Sequence, residues 1–186
     1  MVPFPELLVP IALSAVLVFV ASSLIHMVVR WHNPDYRKLP NEDEVRAVIR
    51  KGAPPPGQYV VPHCLEGGEA ATPEMQKKFA EGPIATVFVK PTGPIQLGPF
   101  LGKWFVYCIV VSAVVAYLTG AVLAPGTPYL TVFRVAGTAA WLAYAWEGPS
   151  SSIWKGQPWA VTAKNFVDGL VYAALTAGAF AWRWPG

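Results

Sequence analysis

The chain has 186 residues, of which 54% are hydrophobic and only 13% charged, and it carries a formal net charge of +3. About a quarter of the residues of a soluble domain are charged, so this composition belongs to the membrane class. Ten of the fourteen Lys and Arg residues, and eight of the eleven Asp and Glu, fall in residues 30–103; that near balance excludes a nucleic-acid surface, which needs a clustered excess of cations.

The first element is an apolar run over residues 7–29, about the twenty residues needed to cross a hydrocarbon layer of roughly 30 Å. It has no basic leader, carries Glu6 instead, and outruns the apolar stretch of a signal peptide, so it is read as a retained span. Pro10 lies in its first turn, where a missing N–H is tolerated. Arg30, His32, Arg37 and Lys38 follow at once. The positive-inside rule places that flank in the cytoplasm and the N-terminus outside.

Residues 31–103 are too polar to span and too patterned for a linker. Asn41 caps a predicted helix that Gly52 can end, with acids in its first turn and Arg50 and Lys51 in its last. A second helix is predicted from Thr72-Pro73-Glu74 to Gly82. Residues 58–61 and 84–89 are short, β-branched and aromatic, and read as strands. The expectation is a small cytoplasmic α+β insert whose core is too slight to stand alone.

Three more spans are predicted at about 104–124, 129–146 and 166–184, and the Pro125-Gly126-Thr127-Pro128 turn makes a hairpin of the first two. The predicted fold is therefore mainly α: four transmembrane helices with the insert between helices 1 and 2, both termini outside, in a bacterial inner membrane. Ser112, Ala116, Gly120 and Ala124 recur every fourth position, as do Ala173, Ala177 and Ala181, so that neighbouring helices can approach closely. Trp104, Tyr107, Tyr129, Trp146, Trp182 and Trp184 near span ends read as interfacial aromatic belts.

Ionisable groups at membrane depth are costly, and each is a candidate for function. Arg134 could hold an anionic lipid or substrate group, or lift its guanidinium to the headgroups. Asp168 lies four residues after Lys164, which permits an ion pair, and could otherwise serve a proton relay or cation site. Arg134 and Asp168 fall toward opposite faces of the bilayer and are not paired. His26, near the cytoplasmic end of the first span, could ligate haem or a chlorophyll-type pigment. No other histidine falls inside a predicted span, which speaks against a two-histidine haem site. His63 and Cys64, with Glu66 and Glu69 behind them, carry metal-binding atoms without a recognised ligand spacing. Cys64 and Cys108 sit in different environments, so no disulfide is expected.

The loop 147–164 has serines and tryptophans but no nearby histidine base, GxSxG elbow or phosphate-binding loop. The sequence thus carries no catalytic motif. Its first functional reading is an accessory or scaffold subunit of a larger membrane complex, docked on lipid and on a protein partner or a second copy through the small-residue faces. The alternatives are a membrane enzyme or transporter using Arg134, Asp168 or His26, and a cofactor-bearing subunit in electron transfer or light harvesting.

Overall fold

The computed structural model describes all 186 residues. The chain is mainly helical with one two-stranded sheet. It divides into two units, the first comprising residues 1–35, 96–152 and 157–186, and the second residues 36–95 with 153–156.

The first unit is built on four long helices: α1 (Leu8–Ser23), α5 (Leu97–Val122), α6 (Tyr129–Ala145) and α8 (Trp159–Trp182). A short 3-10 turn, Phe4–Leu7, leads into α1, and a π-helical turn, Leu24–Val29, continues it. With these extensions α1 is long and apolar enough to cross a membrane, and so is α5. In place of the span predicted at about 129–146, α6 is 17 residues long, about 26 Å at 1.5 Å per residue. The fourth predicted span begins earlier than its apolar pattern indicated, at Trp159, because Pro158 sets the backbone ahead of the first helical turn.

The four helices run alternately up and down. Val2 donates its N–H to the Gly120 carbonyl at 2.9 Å, Ser14 Oγ meets Ser112 Oγ at 2.9 Å and Trp104 Nε1 donates to Ser22 Oγ at 2.7 Å. These contacts fix α1 antiparallel to α5. Gly137 lies against Ala177, and Gly169 against Ala145, so α6 and α8 are antiparallel as well. A Cβ added at Gly169 would stand 2.7 Å from Ala145 Cβ, and one at Gly120 would stand 2.9 Å from the Val2 carbonyl oxygen. Only glycine permits those approaches.

Of the predicted small-residue faces, Ser112, Ala116, Gly120, Ala173, Ala177 and Ala181 are buried. They face the chain's own helices. Ala124 differs: α5 ends at Val122, and Ala124 is exposed in the turn, where its carbonyl accepts from Trp184 Nε1 at 3.0 Å. Val2, Leu7, Ile11, Val115, Val132, Ala136, Ala140 and Phe180 fill the half of the bundle near the N-terminus. Ala15, Val18, Cys108 and Tyr172 form a second cluster, with Trp104 and Tyr144 packed against it. Trp104 is thus half-buried and turned inward, stacked on Tyr107 and edge-on to Tyr172.

Between α6 and α8 the stretch expected to be a loop contains a further helix, α7 (Glu147–Lys155). Glu147 opens it, Pro149 lies in its first turn, and Ser151 Oγ donates to Glu147 Oε1 at 2.7 Å. Ser152 and Thr162 then tie it to α8 through their hydroxyls at 2.5 Å.

The second unit contains α2 (Glu42–Gly52), β1 (Gly57–Val61), α3 (Gly67–Ala70), α4 (Pro73–Glu81) and β2 (Ala85–Val89). The strands pair antiparallel with Gly57 opposite Val89 and Val61 opposite Ala85. Thr72 caps α4 by accepting from the Met75 N–H. Helix α2 runs through Gly52, and Ala53 takes the left-handed residue that the sequence had assigned to the glycine, with φ of 43°.

Candidate functional site

The site begins where α1 changes its winding. The π turn carries His26, and Arg30 ends it in a left-handed conformation, φ 57°, its N–H bonded to the Ile25 carbonyl. This reversal folds the next residues back: His32 stacks on His26 with centroids 4.8 Å apart and planes within 4°. A π turn inside a helix often marks a functional position. Here it brings together two imidazoles that lie six residues apart.

Both rings point at α8. His32 Nε2 lies 2.8 Å from Asp168 Oδ2, and His26 Nε2 lies 3.9 Å from the same oxygen. The outer nitrogens are held too. His26 Nδ1 is 3.0 Å from the Ser22 carbonyl oxygen, so it donates a proton there. His32 Nδ1 is 2.9 Å from Asp35 Oδ2. Asp35 Oδ1 accepts from Lys164 Nζ at 2.6 Å, and the same ammonium donates to the Trp31 carbonyl at 2.8 Å.

Lys164 and Asp168 therefore do not form the ion pair their spacing permits. The returning segment offers Lys164 both a carboxylate and a carbonyl, and it presents Asp168 with an imidazole. The ammonium hydrogen-bonded to Asp35, reinforced by His32, holds that carboxyl below the usual carboxylate range against its partial desolvation. Asp168 is 5% exposed and His32 7%. Asp168 lies nine residues into α8, about two and a half turns, because the helix starts at Trp159.

A cavity of about 390 Å³ opens beside this cluster. Its polar wall includes His26, Asp168, Tyr172, Asn165 and Ser22, and its apolar wall includes Leu97, Leu101 and Trp104. Asp168 Oδ1 and the Tyr172 hydroxyl, both buried, have no hydrogen-bond partner within the protein. A buried polar group left unpaired costs about 1–3 kcal/mol, so these two atoms favour an occupant that bears hydrogen-bonding groups.

The other predicted site residues lie elsewhere. Arg134 is exposed on α6, beside a shallow groove with Gly137, Trp141 and Leu170. The antiparallel register of α6 on α8 puts it toward the end of the bundle away from Asp168. His63 is exposed in the second unit, and the half-buried Cys64 donates to the Glu66 carbonyl at 3.6 Å. Desolvation and the charges of Glu69 and Glu66 push the Cys64 thiol pKa up, which opposes the thiolate that a metal needs. Neither cysteine is in a disulfide.

The sequence reading missed His32, Asp35 and the aromatic lining. One signal was present: an acid inside an apolar helix calls for a partner, and His32 follows the first span by only a few residues. Comparison with protein-family models, curated proteins and solved structures found no match.

Proposed function

We propose that the chain is an integral membrane enzyme with four spans, acting on a small amphipathic molecule bound in the cavity beside His26 and Asp168. The observation that carries this reading is the joining of buried, unpaired Asp168 Oδ1 and Tyr172 hydroxyl to an apolar wall of Leu97, Leu101 and Trp104. Such cavities of about 300–1,000 Å³, with a few convergent polar groups on an apolar lining, are the usual form of small-molecule sites. The four-span architecture is supported by apolar residues exposed on all four long helices: Val16 and Val20, Val110 and Val114, Leu130 and Leu142, Leu170 and Val171. The basic flank after α1 favours an orientation with the insert in the cytoplasm, and a bacterial inner membrane is the location this reading adopts.

A transporter needs a path across the bundle, and the half near the N-terminus is filled by side chains including Leu7, Val115 and Phe180, all nearly or fully buried. Docking as a scaffold subunit through the small-residue faces competes with the packing that those faces already make within the chain. A tetrapyrrole on His26 needs open space at Nε2, which instead faces Asp168 while the ring lies against His32.

The test is purification in mild detergent from the native membrane, with extracted small molecules and bound chains both read by mass spectrometry. The enzyme reading expects one small amphipathic species that Leu101→Trp, which fills the cavity, removes. Stoichiometric partner chains retained by both wild type and variant, with no bound small molecule in either, would establish the scaffold reading instead. Visible absorption lost in His26→Gln would establish the pigment or haem reading.

A further inference from the structure

We propose that His26 Nε2, His32 Nε2 and the Asp168 carboxylate form a binding site for a divalent first-row transition-metal ion of the zinc or ferrous type. The proposal deepens the cavity reading, because His26 and Asp168 also line that cavity. The three side chains each offer one ligand atom, and those atoms lie within 4.8 Å of one another. Metal–ligand bonds of about 2.1 Å place neighbouring ligand atoms about 3.0–3.4 Å apart. The observed 2.8 Å and 3.9 Å separations to Asp168 Oδ2 bracket that spacing, and the two stacked imidazoles would tilt toward each other on binding to aim both Nε2 lone pairs at one ion.

The proton arrangement supports it. His26 donates from Nδ1 to the Ser22 carbonyl, so in the neutral ring Nε2 carries a lone pair, and that lone pair faces a carboxylate oxygen. Two electron-rich atoms set toward each other call for a cation between them. His32 has carboxylates at both nitrogens; with Nδ1–H donated to Asp35, its Nε2 lone pair faces Asp168 Oδ2 at 2.8 Å, and a bound metal ion would replace the proton that otherwise bridges those two atoms.

Metal-binding histidines almost always donate their other ring nitrogen to a carboxylate or a backbone carbonyl. This cluster has one of each, and Lys164 anchors the carboxylate in turn. Two imidazoles and one carboxylate suit zinc or ferrous iron and disfavour magnesium and calcium, which prefer all-oxygen sites. Three protein ligands leave at least one coordination position. Asp168 Oδ1, without a protein partner, can complete a bidentate carboxylate.

The full-length protein in mild detergent, stripped with chelator, is titrated with Co2+ and separately with Mg2+, reading the visible absorption of bound Co2+ and the metal content. The expected result is saturable binding of about one Co2+ per chain, displaced by Zn2+ and untouched by Mg2+. His26 has a half-exposed side chain, so His26→Gln leaves the fold intact by melting temperature and weakens Co2+ more than about tenfold, the loss that even an outer partner of a ligand produces. Asp168→Asn removes binding. Leu101→Trp keeps it, which separates this proposal from occupancy of the cavity by a small molecule. His63→Ala, in the other unit, also keeps it. Absence of saturable Co2+ binding in wild type, or binding that survives both His26→Gln and Asp168→Asn, overturns the site.

Discussion

Asp35 shows how one carboxylate can organise a site it does not enter. It orients His32 through Nδ1 and holds Lys164 on its other oxygen. Asp35→Asn should weaken Co2+ binding about 10–100-fold while leaving the form of the Co2+ spectrum unchanged, because the ligands themselves remain; a titration with spectra checks both. The depressed pKa of Asp35 also sets a pH dependence. The unfolded chain takes up this proton first as the pH falls, so the tether contributes fully above about pH 4. It is lost as the pH drops through the lower folded value. The hydrogen-exchange protection factors of residues 31–35 should hold at about pH 4 and fall only as the pH drops through the lower folded value, and in Asp35→Asn exchange should be fast at neutral pH. Ala53 offers a separate test. A non-glycine residue in the left-handed region carries a cost of about 1–2 kcal/mol, so Ala53→Gly should slow exchange of the Ala53 amide, which closes α2 on the Ile49 and Arg50 carbonyls.

Among the elements, α8 connects packing to the site. It carries Lys164 and Asp168 toward the returning segment, and Gly169 lets α6 approach so closely that Ala145 Cβ would meet an added methyl at 2.7 Å. Ala145 backbone atoms lie just behind, at 3.2 and 3.3 Å, so neither helix can yield by a side-chain rotation. Gly169→Ala should therefore destabilise the protein by about 1–3 kcal/mol, read as a lower melting temperature in detergent. It should also weaken Co2+ binding, since the displaced residue adjoins Asp168. Gly178→Ala supplies the control. Its added Cβ meets nothing nearer than the Tyr129 hydroxyl at 3.9 Å, and melting should change little.

For the whole molecule, the alternating helices place the returning segment, residues 31–35, and the start of α5 at one end of the bundle. The chain termini lie at the other: Gly126 N–H bonds the Pro185 carbonyl at 2.8 Å, and Val2 bonds Gly120. If all four long helices span, the start of α5 and the C-terminus lie on opposite sides of the membrane. In a Cys64→Ser background, a cysteine at the exposed Gly98 should react with an impermeant maleimide only after the membrane is opened, and one at Gly186 should react before. The reversed pattern would invert the orientation; labelling of both from the same side would remove one span.

The local features were legible because they depend on near neighbours in the chain. The apolar runs of α1 and α5, the Thr72 cap, the two strands and the small residues at every fourth position all follow from spacing along the sequence. The centre was not legible in this way. Lys164 and Asp168 stand one helical turn apart, and spacing alone pairs them; folding gives each a different partner from residues 31–35. That exchange depends on a π turn and on a left-handed Arg30, a residue type with no preference for that conformation. Sequence by itself determined which segments are apolar helices and which polar groups would be costly to bury. Only the tertiary structure decided that His26, His32 and Asp168 would meet, because a buried charge takes its partner from whatever the fold brings within hydrogen-bond reach.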